Sequence, residues 1–140
     1  MKGKSGDVAI LVLRLALGAA MMYHGSQKLF GLFGGMGYEA TLAAFQERNG
    51  IPPLFGWLAI IAEFFGGLGL VLGLLTRVAA FGVACTMAVA AYFHISRGDE
   101  AARVELPTAF FAMALATMLA GAGHYSLDKV FFGRRGGGKS

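Results

Sequence analysis

The sequence predicts an all-α integral membrane bundle of four transmembrane helices with both termini in the cytoplasm. Three observations carry that expectation. Of the 140 residues, 56% are hydrophobic and only 14% are charged, whereas an average soluble domain is about 45–50% apolar and about 25% charged. Four apolar segments reach the roughly 17–25 residues that cross a bilayer. Lysine and arginine gather on one side of the resulting alternation. A soluble helical bundle would keep one polar face per helix, and the third and fourth segments have none.

The first span covers about residues 8–30 and is interrupted by Arg14, His24 and Lys28. Its start, "MKGKSGDVAILVLRLALGAA", has the look of a signal peptide, but Arg14 breaks the apolar region and apolar character continues beyond it. It therefore reads as a retained span. The glycine-rich "FGGMGYEA" ends it. "YEATLAAFQERN" then forms a short amphipathic surface helix, with Leu42, Phe45 and Tyr38 expected against the bilayer. "RNGIPPLFG" stops the chain before the second span, residues 54–75, whose one charge is Glu63. Only "LTR" joins it to the third span, residues 78–95, so these two are antiparallel neighbours. The third span has no charged residue apart from the ionisable His94. "SRGDEAARVE" leads to the fourth span, residues 106–123, which has no charge. Ser126 is placed to cap a short terminal helix. Residues 133–140 form a basic, glycine-rich tail expected to be disordered.

With both ends inside, Lys2, Lys4, Arg77, Lys129, Arg134, Arg135 and Lys139 lie on the inner side, against Arg48, Arg97 and Arg103 outside. That bias sets the cytoplasmic orientation of both ends. Trp57, Tyr92 and Tyr125 fall near span ends, where aromatic rings anchor to the interface. The net charge of +4 comes from termini without an aromatic-interleaved patch, so no nucleic-acid partner is expected. One cysteine, Cys85, excludes an internal disulfide, a C-x-x-C pair and a cysteine-rich metal site, and reads as a packing residue in mid-span.

Helices in lipid pack through small residues. The candidate faces are Arg14, Gly18, Met21, Gly25 and Lys28 in span one; Gly66, Gly67, Gly69 and Gly73 in span two; Ala80, Ala84, Met87, Ala91 and His94 in span three; and Ala112, Ala116 and Ala120 in span four. A charge in the bilayer centre costs roughly 2.5–3.5 kcal/mol on insertion scales, so such residues turn inward and find partners. At about 1.5 Å per residue, His24 and His94 both lie about 24 Å from the inner ends of their spans. Glu63 lies about 14 Å below the outer end of its own. His24, Lys28, Glu63 and His94 thus form a candidate outer-half site. Arg14, Asp128 and His124, with Ser126 beside them, form an inner polar set. Two histidines at matching depth lack evident third and fourth ligands, so no metal site is expected.

The stretches "LRLALGAAMMYHGSQKLFG", "LAIIAEFFGGLGLVLGLLTR", "AYFHISRG" and "GAGHYSLDKVF" resemble the DoxX family of small bacterial membrane proteins, from about Val8 to Phe131. Arg14, His24, Lys28, Glu63, His94, Ser126 and Asp128 fall on the family's motif positions. The resemblance implies a four-helix membrane bundle, association with thiosulfate:quinone oxidoreductases or other membrane redox assemblies, quinone as the cofactor, and a membrane or peripheral redox protein as partner. An oligomer is compatible with it.

Three functions compete. In a quinone-linked oxidoreductase component, His24 and His94 would contact the head group and relay protons. Lys28 would stabilise negative charge, and Glu63 would pass a proton. The chain has no cysteine set for an iron–sulfur cluster and no dinucleotide fingerprint, so electrons would come from the partner. In a non-catalytic anchor or assembly factor, the charges only staple the bundle, Glu63 to Lys28 or Arg14 and Asp128 to Arg14. A small transporter is the third reading, disfavoured by four spans without an inverted repeat.

Overall fold

A computed structural model describes residues 3–133, which form six helices. They are α1 (Lys4–Leu29), α2 (Gly37–Asn49), α3 (Pro53–Leu72), α4 (Thr76–Ser96), α5 (Ala101–Ala120) and α6 (Leu127–Phe132). Helices α1, α3, α4 and α5 are each long and apolar enough to cross a membrane. Only 17–33% of the most apolar stretch of each is buried within the protein. The remaining apolar surface, including Phe81, Leu119 and Val78, has lipid as its natural solvent. Residues 134–140 of the basic tail lie outside the described residues; Gly133 caps α6.

Local chemistry sets the helix ends. Pro53 occupies the first position of α3, where its missing N–H costs nothing. Gly73 ends α3 in the left-handed region at φ +67°, and Gly50 ends α2 at φ +64°. Helix α5 begins at Ala101, before the apolar segment that starts at Leu106, because Arg103 and Glu105 in its opening stretch carry charge without breaking the helix. Helix α4 likewise begins at Thr76, before Val78.

The packing order is α1 on α3, α3 on α4 and α4 on α5, with α1 and α5 closing the ring more lightly. Leu17, Met21, Leu70, Ala80, Val83, Ala84, Met87 and Ala114 make the core. The expected small-residue face of α1 is the one that touches α3. A Cβ at Gly18 would lie 2.7 Å from the Gly67 carbonyl oxygen, and one at Gly25 would lie 2.6 Å from the Phe64 nitrogen. The two backbones therefore meet at distances only glycine permits.

Three packing expectations are corrected. Ala112, Ala116 and Ala120 face outward; α5 instead buries Pro107, Ala114 and Thr117, because the larger Phe110, Phe111, Met113 and Met118 flank that face and fill the space against the core. Cys85 is exposed, since Val83, Ala84 and Met87 take the buried positions of its turn. Two apolar residues of α2 turn toward protein, Leu42 and Phe45, which lie over the bare backbone of Gly56, while Tyr38 stacks on Trp57 with centroids 5.3 Å apart and stays 42% exposed.

The beginning of α1 and the segment after α5 share one face of the bundle, where the Asp7 carboxylate accepts the His124 backbone N–H at 3.0 Å. This is the terminal face. Helix α2 packs on α1 and α3 at the opposite one, the α2 face.

Candidate functional site

The α1–α3 crossing creates the first charged pair. Gly25 brings the backbones together beside Phe64, one residue from Glu63. Lys28 follows Gly25 by three residues, on the same side of α1. Its Nζ donates to both Glu63 carboxylate oxygens at 2.6 Å. The Glu63 side chain is 3% exposed and that of Lys28 is 31% exposed. The carboxylate is thus enclosed while the ammonium faces open space. Glu63 pairs with Lys28 rather than Arg14, which lies more than three turns away along α1.

A second polar cluster stands at the end of α4. Gly98, at φ +69°, folds the chain back so that the Asp99 N–H donates to the His94 carbonyl at 3.0 Å. The Asp99 carboxylate then lies 2.7 Å from His94 Nδ1. Arg97 Nε lies 3.4 Å from the same carboxylate, and Arg97 Nη1 donates to Asn49 Oδ1 at 3.0 Å, tying the end of α2 to the end of α4. The hydrogen bond from His94 holds the Asp99 carboxyl below its usual range; burial opposes this and the Arg97 charge adds to it. With Nδ1–H donated to Asp99, a neutral His94 ring has Nε2 as its free acceptor.

Both clusters open into one groove of about 1190 Å³ between α3 and α4, lined by Lys28, Glu63, His94, Arg97 and Asn49 at the α2 face. The rest of the lining is almost entirely apolar and continues to Leu72, Leu75 and Val78 near the terminal face. Of the four residues expected in one outer-half site, three line this groove. His24 does not: it precedes Gly25 on α1, so its side chain is rotated away from α3. Its ring lies against α5, 6.1 Å from the Phe110 ring, and edge-on to Tyr23.

The inner set is built differently from the ion pair expected. Arg14 is 1% exposed and donates to four carbonyls: Leu70 at 3.0 Å, Val71 at 3.4 Å, Ala122 at 2.6 Å and Tyr125 at 2.8 Å. It thereby satisfies the last turn of α3 and holds the segment after α5 against it. Among the described residues Asp128 forms no salt bridge with Arg14. It accepts instead from the Leu75 and Thr76 N–H groups at 2.7 and 2.9 Å, capping α4 and supporting Leu75 at φ +49°. Ser126 caps α6 by accepting the Lys129 N–H at 3.2 Å. His124 enters only through its backbone and through edge-on packing on Tyr125.

Asp99, Arg97 and Asn49 escape a reading confined to span interiors. The signal was present in "HISRGD": a histidine in the last helical turn, a glycine able to reverse the chain, and an aspartate directly after it. No three His, Cys, Asp or Glu side chains gather as a metal set among the described residues.

The DoxX family model matches residues 9–95. That range includes Arg14, His24, Lys28, Glu63 and His94 and stops before Ser126 and Asp128. The chain is 29% identical over 130 residues to the inner membrane protein YqjF of Escherichia coli (strain K12), across 91% of this chain and 95% of that protein. No solved structure matches it.

Proposed function

We propose, from the premise that this chain belongs to the DoxX family and is a multi-pass inner membrane protein, that it serves as the membrane component of a quinone-linked oxidoreductase system. The observation that carries this reading is a bilayer-length apolar groove that is polar at one end only. The polar end is also balanced in charge: Lys28 is paired with Glu63, and Arg97 with Asp99. Such an end suits a neutral head with carbonyl acceptors better than a phosphate or carboxylate.

Bound quinone and quinol interconvert with two protons and two electrons. The chain's own residues bind the head group and account for one of the two protons, the other exchanging with water at the polar end of the groove. The Lys28 ammonium donates a hydrogen bond toward a carbonyl oxygen and stabilises negative charge developing there. His94 Nε2 accepts a proton from a hydroxyl, and Asp99 stabilises the imidazolium that results. Glu63 holds Lys28 in position without facing solvent itself. Electrons pass to or from a partner redox protein. With the α2 face outward, as the Lys and Arg count along the sequence expects, these protons exchange on the periplasmic side.

Titration of the purified protein with a short-chain quinone tests the proposal. Saturable binding is expected, weakened at least tenfold in Lys28→Met and His94→Phe and retained in His24→Ala. Absence of saturable binding to folded protein would remove the quinone role. A non-catalytic anchor is the second reading, favoured by how completely Arg14 and Glu63 are satisfied within the protein. On that reading Lys28→Met and His94→Phe would alter stability and cellular phenotype in proportion.

A further inference from the structure

We infer that the α3–α4 groove is a lateral binding site for the isoprenoid tail of a membrane quinone, which enters from the lipid with its head at Lys28 and His94 and its tail directed toward the terminal face. The inference rests on the quinone reading above and specifies the ligand and its pose.

Four features of the groove support it. Its walls run the whole length of α3, whose 20 residues span about 30 Å at 1.5 Å per residue. Its volume of about 1190 Å³ exceeds the roughly 300–1,000 Å³ of ordinary small-molecule pockets, so a ring alone would leave most of it unfilled. Its middle is made shallow-sided by small residues. Gly66, Ala62 and Gly82 line it, and a Cβ at Gly82 would meet nothing closer than the Ala62 Cβ at 3.5 Å. The hydroxyl in that middle stretch, Thr86 Oγ1, donates back to the Gly82 carbonyl at 2.9 Å and is not free for a ligand. A second polar head would find no partner there. A chain with one neutral polar end and a long apolar remainder matches this distribution. A phospholipid matches it less well, because its headgroup phosphate would meet the Glu63 carboxylate as well as Lys28 and Arg97, whose charges Glu63 and Asp99 already balance.

The test compares two quinones that share a ring, one bearing only a methyl group and one a polyprenyl tail, with the protein in nanodiscs. Empty nanodiscs correct for partition. Native protein should bind the long-tailed form at least tenfold more tightly after that correction. Gly82→Leu, which fills the groove away from the polar end, should abolish the difference and leave binding of the methyl quinone unchanged. Cys85→Phe fills the groove one turn further along from an exposed position and serves should Gly82→Leu not fold. If the methyl quinone binds and the tail advantage persists in these variants, or never exists, the tail site is overturned while the quinone reading stands. If neither quinone binds, the quinone reading fails and takes the tail site with it. A tightly held phospholipid that quinone does not displace, seen by intact-protein mass spectrometry, would overturn the inference. So would a Cys85–Cys85 disulfide between two copies on oxidation, which would give the groove to a second chain.

Discussion

Glu63 sits on α3 with both carboxylate oxygens 2.6 Å from Lys28 Nζ, and the two side chains differ sharply in exposure. That asymmetry makes the two single substitutions unequal. Lys28→Met leaves a buried carboxylate without its counter-charge, whereas Glu63→Gln leaves an ammonium that can turn to water. Lys28→Met should lower the thermal midpoint more, the double variant should recover part of the loss, and the cycle should give a coupling of about 0.5–3 kcal/mol. Equal effects without coupling would contradict the pairing. Arg14 presents the opposite case, a guanidinium satisfied only by carbonyls. Lysine cannot reproduce its planar fork. Arg14→Lys should therefore lose at least about 3 kcal/mol, two charge-assisted bonds at about 1.5–3 kcal/mol each, in denaturant or thermal unfolding. Asp99 adds a pH signature. Its carboxyl is held below the ordinary value of about 3.9, mainly by His94. A lowered carboxyl stabilises the fold above its unfolded pKa, and that contribution disappears as pH falls through the lower folded value. The stability gap between native protein and Asp99→Asn should thus hold from about pH 7 to about pH 4 and close below it, as read by melts across that range. A gap that persisted unchanged well below the ordinary carboxyl range would contradict the His94–Asp99 bond.

At the level of helices, two glycines of different surroundings separate packing from binding. Gly25 presses on the backbone of Phe64, while Gly82 has room for a Cβ, which would meet the Ala62 Cβ in ordinary contact at 3.5 Å. Gly25→Ala should force α1 from α3 and cost about 1–3 kcal/mol as overpacking does. Gly82→Ala should be neutral or stabilising, because alanine is the better helix former by about 0.8–1.0 kcal/mol. Thermal melts of the two variants check both. The same contrast shows what the sequence could reveal. The face Arg14, Gly18, Met21, Gly25 was readable because a buried arginine and two glycines at helical spacing have few other uses. The alanines of α5 misled because alanine is small enough to face either lipid or protein, and the flanking aromatic residues decided the side. Helix α2 was legible as a helix but not in its contacts, since nothing in its own stretch reveals that Gly56 offers it a seat. Asp128 was read as an ion-pair partner for Arg14, but two unpaired N–H groups at the start of α4 stood nearer. That proximity depends on Gly73, where a Cβ would lie 2.5 Å from the Ser126 Cβ, and so only the folded chain shows it.

For the whole molecule, four membrane-crossing helices were predictable from apolar length alone, because lipid leaves no room for irregular backbone. Depth arithmetic on straight helices placed Lys28, Glu63 and His94 near one another. It could not tell which way His24 turned, because depth carries no information about rotation between α3 and α5. Orientation is a separate matter of charge. The Lys and Arg count along the sequence expects seven on the inner side against Arg48, Arg97 and Arg103 outside, so alkaline phosphatase fused at Gly98 should be active and the same enzyme fused at the C-terminus inactive. The central claim, that the α3–α4 groove holds a membrane quinone by its head and tail, is tested most directly by photo-cross-linking in native membranes with a quinone whose reactive group sits at the ring. The account predicts adducts concentrated on the peptides carrying Lys28, Glu63 and His94, competed away by unlabelled quinone and lost in Lys28→Met. Adducts spread over the lipid-facing surface of all four spans, insensitive to competitor and to that substitution, would contradict it.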